Sequence, residues 1–281
     1  ITEIRNLLFS LQPSIKHNIV KQNNEIVSKS NVSYKVYEEQ VNSIKNLIHE
    51  GELMKAVLSK EVIFKGNYDP LTLYRALRLI NPSPYMFYMS FDKFNVIGAS
   101  PEILVQQQND KVTIRPIAGT RKRGPNDSED LANKIDLLQD DKEKAEHMML
   151  VDLARNDLSK VSETGTVQVD EMMVIEKYSH VMHMTSNVIG EKKPSATSVD
   201  CLKAALPAGT LSGAPKIRAM EILSAHENRI RGIYGGSVGY IGFNGTLDTA
   251  IVIRTAIHTK DSVKVGVGGG IVYDSIPKNE W

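Results

Sequence analysis

Glu143 and Glu146 stand three residues apart in the stretch 140–157. On a helix that spacing sends both side chains from one face, where two carboxylates repel unless a cation or a proton lies between them. Such a pair could form part of an oxygen-rich Mg²⁺ site. For an isolated E-x-x-E the commoner outcome is a solvated acidic turn paired with Lys142 and Lys144, so the rest of the chain must decide. Arg115, Arg121, Lys122 and Arg123 flank Gly119, and four basic groups beside a glycine could receive an anion. The loop 207–216 sets small residues and the hydroxyls of Thr210 and Ser212 before a helix, whose first N–H groups suit a carboxylate or phosphate. It lacks the spacing of a Walker loop.

Single residues add to this. Arg254 follows the apolar run 250–253, which predicts partial burial and a need for an anionic partner. Gly268, Gly269 and Gly270 follow the strand-like run 263–267, where three glycines weaken structure but let a ligand touch backbone. His180 and His183 lie close to the Met-rich segment 182–184, although a satisfied core histidine is the commoner fate. Lys55 interrupts the apolar run 54–58, either as an outward edge residue or as a buried amine facing a site.

The elements that must hold these groups are legible in outline. Ala145, Met149, Leu150, Leu153 and Ala154 predict one face of a helix that Asp140 or Asp141 can cap. Helices are also predicted at 36–50, 71–80, 125–136, 202–206 and 217–223. Strands are predicted at 54–59, 85–88, 96–99, 103–105, 112–114, 166–174, 238–241, 250–254 and 263–267, with Asn244-Gly245 as a hairpin turn. Helices mixed with sequential hairpins predict an α+β fold with largely antiparallel sheets. Residues 1–33 are polar apart from Ile4, Leu7 and Leu8 and read as a remnant or linker, which leaves 34–281 as the main domain. A start at Ile1 and a stop at Trp281 in mid-element suggest a fragment whose C-terminal end is incomplete.

Composition bounds the function. Among 281 residues, 34 Lys+Arg against 33 Asp+Glu give a formal charge of +1, so charge argues for neither nucleic acid nor an anionic membrane. Cys201 is the single cysteine, which excludes an internal disulfide and a cysteine zinc cluster and fits a reducing cytoplasm. Neither a membrane-length apolar run nor a signal peptide is present.

Together, residues 116–120, 142–147, 178–183, 207–216 and 268–274 resemble the motifs of the chorismate-utilising enzymes, in family order from about residue 36 onward. Within that family they are similar to the anthranilate-forming branch. The resemblance implies two packed, largely antiparallel β-sheets surrounded by helices, and Mg²⁺ bridging chorismate to glutamates. It makes Glu146 a direct metal ligand, Glu143 a supporting one and Glu280 another of the set, with a further glutamate and a substrate-facing lysine falling beyond Trp281. Arg254, Tyr234 and the backbone of Gly268, Gly269 and Gly270 would hold the enolpyruvyl carboxylate, with Thr120, Gly209 and Thr210 in the same pocket. Glu102 would be the acid that assists loss of the ring hydroxyl, and His183 would serve pyruvate elimination. Pro84, Tyr85 and Met86 resemble one wall of the family's tryptophan inhibitor site.

The implied reaction joins chorismate and ammonia, supplied by a glutamine amidotransferase subunit, to give anthranilate and pyruvate for tryptophan biosynthesis. Ala118 stands where aminodeoxychorismate synthases often carry a nucleophilic lysine. Lys55 departs from the ammonia-using pattern, which generally has glutamine there, and matches the water-activating lysine of isochorismate and salicylate synthases. Those activities are the rival readings within the family. A binding subunit without catalysis is the rival outside it, and the set Glu102, Glu143, Glu146, His183 and Arg254 argues against that.

Overall fold

Most of the strands are joined in hairpins, because apolar alternation is broken at short intervals by turn residues. The computed structural model describes residues 27–178 and 180–281; the segment with Ile4, Leu7 and Leu8, and Ser179 of the 178–183 motif, lie outside the described residues. The first sheet contains β1 (Ser28–Ser30), β2 (Lys55–Lys65), β3 (Tyr85–Ser90), β4 (Asn95–Ser100), β10 (Gly213–Ala214), β13 (Thr255–Thr259) and β14 (Ser262–Ile271). The second contains β5 (Ile103–Gln108), β6 (Lys111–Ile114), β7 (Ile117–Lys122), β8 (Gln168–Lys177), β9 (Val181–Glu191), β11 (Ser237–Ile241) and β12 (Leu247–Ile251). Strand order is β1-β2-β14-β13-β4-β3 with β10 also on β2, and β11-β12-β5-β6-β9-β7 with β8 on the other side of β9. All the pairings are antiparallel, as expected.

Helices cover both sheets. On the first, α1 (Tyr34–His49) and α6 (Lys216–Glu227) bring Val41, Ile44, Ile222 and Leu223 onto Leu58 and Ile271. Burial of each such side chain stabilises the fold by about 1.5–3 kcal/mol. On the second, α4 (Asp141–Ser159) and α5 (Ser198–Ala205) pack Val151, Leu158 and Cys201 against Val105, Val188 and Leu247. Asp140 caps α4 by accepting from the N–H groups of Lys142 and Glu143 at 3.0 and 3.1 Å. The buried stripe of α4 is His147, Leu150, Val151, Ala154, Asp157 and Leu158; Ala145, expected on it, is exposed. A further helix, α3 (Asp127–Gln139), precedes it, and α7 (Pro277–Glu280) closes the element order.

The helix α2 (Pro70–Ile80) differs from the other helices longer than one turn, since none of its residues is fully buried. Leu73 and Leu77 lie over Phe64, Ile97, Val263 and Val265 around an apolar pocket of about 400 Å³. Among the described residues no helix is long and apolar enough to cross a membrane.

The chain passes from the first sheet to the second between β4 and β5 and from the second to the first between β12 and β13, besides its excursion to β10 and back. These two crossings lie side by side. The Ile251 N–H donates to the Glu102 carbonyl at 3.0 Å, the Ala99 N–H to the Arg254 carbonyl at 3.2 Å, and the Ser100 hydroxyl to the Ile251 carbonyl at 2.6 Å. Residues from two distant parts of the sequence are therefore fixed at one corner.

Three expectations are corrected here. The strand predicted to run through Arg254 ends at Ile251, and Arg254 itself is exposed with a left-handed φ of 50°. Gly268, Gly269 and Gly270 lie within β14, paired with Ser59, Leu58 and Val57, and do not follow a strand. The strand predicted at 54–59 continues to Lys65, because β14 supplies partners along its length.

Candidate active site

Glu102 occupies the first crossing and is 8% exposed. Burial pushes its pKa from 4.5 up to about 7, opposed in turn by Thr210, Lys55 and Arg254. Of the two hydroxyls in the 207–216 loop, that of Ser212 donates to the Ala208 carbonyl at 2.9 Å, whereas that of Thr210 is buried without a hydrogen bond of ordinary geometry. The loop is stitched to β2 through Gly213 opposite Ala56 and Ala214 opposite Lys55, which brings Thr210 toward Glu102. A carboxylic acid poised near neutrality beside two cations suits proton donation to a leaving group.

His183 lies on β9 opposite Thr120 of β7. Its Nδ1 is 3.0 Å from the Thr120 hydroxyl and 3.3 Å from the Gly119 carbonyl. A carbonyl can only accept, so Nδ1 carries the proton and Nε2 is left as the basic nitrogen. Burial lowers the His183 pKa, with Arg254 adding to that effect, so the ring is neutral at neutral pH. His180, read with it from the sequence, is exposed. Neither histidine is a fully buried core residue.

Lys55 is 7% exposed and forms an ion pair with Glu146, so the outward edge alternative fails and the buried one holds. Its stem lies over Gly270, where an added Cβ would come within 2.5 Å of the Lys55 Cε. At Gly268 an added Cβ would meet the Tyr234 hydroxyl at 2.7 Å. These two glycines thus give up side chains to let an amine and a phenol reach the same face of the sheet. Burial raises the Tyr234 pKa to about 12, so the phenol is a neutral donor.

The third glycine faces the other way, because successive strand residues alternate. An added Cβ on Gly269 would meet the Glu280 carboxylate at 3.0 Å, on the α1 side of the sheet. Glu280 instead accepts from the Ser275 hydroxyl at 2.9 Å. The structure therefore does not bring Glu280 to Glu143 and Glu146, contrary to the expected metal set. Glu143 is itself 3.3 Å from Arg121, which also binds Asp136 and Asp140 at 2.6 and 2.7 Å. Among the described residues no three His, Cys, Asp or Glu side chains are grouped to hold an ion. As they stand, these glutamates do not fit Mg²⁺.

Among the described residues Arg254 has no carboxylate ion-pair partner; its guanidinium reaches the Asn81 side-chain oxygen at 3.5 Å. The left-handed corner turns it out of the core and leaves it exposed to meet a solute. Its charge acts on both Glu102 and His183, which places the three in one neighbourhood. Gly209 packs against Leu153, where an added Cβ would come within 2.9 Å.

The basic cluster around Gly119 is not an open anion site. Arg115 pairs with Glu171 and Glu176, Arg121 with three carboxylates and Arg123 with Asp130. Pro84 and Tyr85 line a separate pocket of about 390 Å³ with Arg115, Glu176, Tyr178 and Asp248; Met86 is not among its walls. Within it the Tyr85 hydroxyl donates to Asp248 at 2.7 Å.

Sequence reasoning passed over Glu227. It accepts from the Ser59 N–H and hydroxyl at 2.8 and 2.9 Å and pairs with Arg231, which also binds the carbonyls of Val57 and Leu211. This anchor ties α6 to the strand that carries Lys55. The available signal was a glutamate at a helix end followed by Arg229 and Arg231 ahead of the glycines.

The family model for chorismate binding enzymes matches residues 2–281. The chain belongs to the chorismate binding enzyme family. This chorismate binding enzyme is 52% identical over 255 residues to anthranilate synthase component 1 of Aquifex aeolicus (strain VF5), covering 90% of this chain and 51% of that protein. The crystal structure of anthranilate synthase component I from Streptococcus pneumoniae TIGR4 matches with a TM-score of 0.90 at 42% identity, covering 99% of this chain and 62% of that one. The menaquinone-specific isochorismate synthase from Escherichia coli matches with a TM-score of 0.84 at 25% identity, covering 92% of this chain and 60% of that one. The chain spans about half the length of the curated relatives it matches.

Proposed function

We propose that this chain carries the chorismate site of an anthranilate synthase component 1. The observation that carries this reading is the neutral-range acid Glu102 at the sheet crossing, within electrostatic reach of Arg254, in a chain 52% identical to a protein of that name. Arg254 and the Tyr234 hydroxyl would take the enolpyruvyl carboxylate through charge-assisted hydrogen bonds. Ammonia adds to the ring while Glu102 protonates the departing hydroxyl, which leaves as water. His183 Nε2 then takes a ring proton; its electron pair completes the aromatic ring as the C–O bond breaks and pyruvate leaves. Chorismate and ammonia so give anthranilate, pyruvate and water.

Ala118 offers no amine at the position where a lysine nucleophile would stand, which favours direct attack by ammonia. A component 1 implies a second component, and we assign it the role of glutaminase. Ammonium at raised pH should then support anthranilate formation by this chain, and glutamine should do so only when a glutaminase subunit is added. Glutamine turnover by the chain alone would refute the two-subunit reading.

The second reading, water addition to give isochorismate or salicylate, is favoured by one observation: Lys55 is buried and its charge acts on Glu102. Its ion pair with Glu146 counts against a free base. Product masses should be compared for wild type and Lys55→Gln, each with and without ammonium. We expect anthranilate as the main product of both when ammonium is present. Isochorismate or salicylate as the main wild-type product under ammonium, lost in Lys55→Gln, would overturn the first reading.

A further inference from the structure

We infer that Lys216 is a positioning residue: it closes the neck of the loop 206–215 and thereby holds Thr210 against Glu102. Lys216 opens α6, and its ammonium reaches Asp157 of α4 at 2.6 Å and the carbonyl of Ala205, the last residue of α5, at 3.3 Å. Ala205 and Lys216 flank the loop, so one amine joins its two ends and fastens both to a third helix. A cation is favoured there, since carbonyls at the C-terminal ends of α4 and α5 carry partial negative charge. The side chains of Lys216 and Asp157 are 10% and 6% exposed. Both ions lose water in such a place, so the pair adds little net stability and its effect is on geometry.

The two halves of the loop are anchored differently. Residues 211–214 are fixed to the first sheet: the Val57 N–H donates to the Ser212 carbonyl at 2.9 Å, the Met54 N–H to the Ala214 carbonyl at 2.8 Å, and Arg231 to the Leu211 carbonyl at 2.6 Å. Residues 206–209 leave α5, which packs on the second sheet, and among the described residues they pair with no strand. Thr210 sits at the join, in the cavity that Glu102, Gly209 and Asp157 also line, and its buried hydroxyl has no other partner there. Drift of α5 relative to β2 would move that hydroxyl, and Lys216 opposes the drift by binding α4 and α5 from a helix seated on the first sheet. Burial raises the Glu102 pKa, whereas Thr210, Lys55 and Arg254 each lower it; Arg115 and Asp157 are the other charged groups on the cavity wall.

The test titrates Glu102 itself, by carbon-13 NMR of protein labelled at the glutamate carboxyls, with the signal assigned through Glu102→Gln. A hydrogen bond favours the carboxylate it serves, so Thr210→Val should raise the Glu102 pKa by about one unit. Lys216→Met should raise it by a similar amount and add nothing in the Thr210→Val background. A direct electrostatic effect of the lost cation would persist in that background. Asp157 keeps Lys160 at 2.9 Å, so Lys216→Met leaves no buried carboxylate unpaired. If that variant fails to fold, Asp157→Leu with Lys216→Met removes both ions of the tether, and the same result is expected. An unchanged Glu102 pKa, or an equal rise with and without Thr210, would overturn the inference. The inference rests on the proposed reaction only for its effect on turnover, where the alkaline limb of kcat/KM should move to higher pH with the Glu102 pKa. A limb that stays in place while the NMR titration moves would remove Glu102 as the acid and leave the positioning role of Lys216 intact.

Discussion

Glu102→Gln is expected to lower turnover by about 10²–10⁴-fold, the usual contribution of a positioned acid, while making the protein more stable at alkaline pH. Glutamine keeps the shape and hydrogen-bonding capacity but has no proton to give. The stability effect follows from the raised pKa of the wild-type group. Between 4.5, its ordinary value, and about 7 in the fold, the folded chain holds a proton that the unfolded chain has released. Wild-type stability therefore falls as pH rises through that window, because the unfolded state binds fewer protons. A gap of that size corresponds to about 3 kcal/mol. Denaturant unfolding of both proteins at pH 4 and pH 8 checks this: the variant should gain on wild type by up to that amount at pH 8 relative to pH 4. Retained turnover, or a stability difference that ignores pH, would remove Glu102 from the role.

Arg254→Gly should separate binding from folding in the other direction. A non-glycine residue at a φ of 50° carries about 1–2 kcal/mol of backbone strain, which glycine relieves. Its greater freedom in the unfolded chain offsets part of that gain. Since the side chain is exposed and among the described residues hydrogen-bonds only to the Asn81 amide, no core packing is lost, and stability should change by less than about 1 kcal/mol. Loss of a charge-assisted bond to a carboxylate should weaken chorismate binding by about 2–3 kcal/mol, roughly 30- to 150-fold. Calorimetric titration with chorismate and a thermal melt together test it. A variant that binds as wild type, or that fails to fold, would show that Arg254 serves the corner and not the substrate.

The parts of the fold that could be read beforehand are those set by local chemistry. Asn244-Gly245 predicts its hairpin because both residues accept left-handed backbone, and Ile241 does pair with Leu247. Asp140 caps α4 for an equally local reason. What escaped depends on distant residues. Gly268, Gly269 and Gly270 have weak strand preference, yet β2 supplies their backbone partners and Lys55 and Tyr234 fill the vacated space. Val252 and Ile253 read as strand, but they bridge two sheets, a topological fact absent from an apolar run. The arginines near Gly119 looked available because the carboxylates that bind them lie on α3, α4 and β8. Glu280 went to the wrong side of the expected site through parity alone: it sits against Gly269, not Gly270.

The loosely packed helix α2 gives the molecule a weak seam. Amide exchange follows the easiest opening, and a segment with few buried contacts detaches at a small fraction of the global unfolding free energy. Helix α1, with Tyr37, Val41 and Ile44 buried, should protect its amides far longer than α2, which rests on Leu73 and Leu77 above an apolar hollow. Asn81 terminates α2 and touches Arg254, so each detachment would also unlatch the guanidinium from its amide. The residue proposed to greet the substrate is thereby tethered to a loosely packed helix, and its freedom to reorient would be timed by that helix rather than by the sheets.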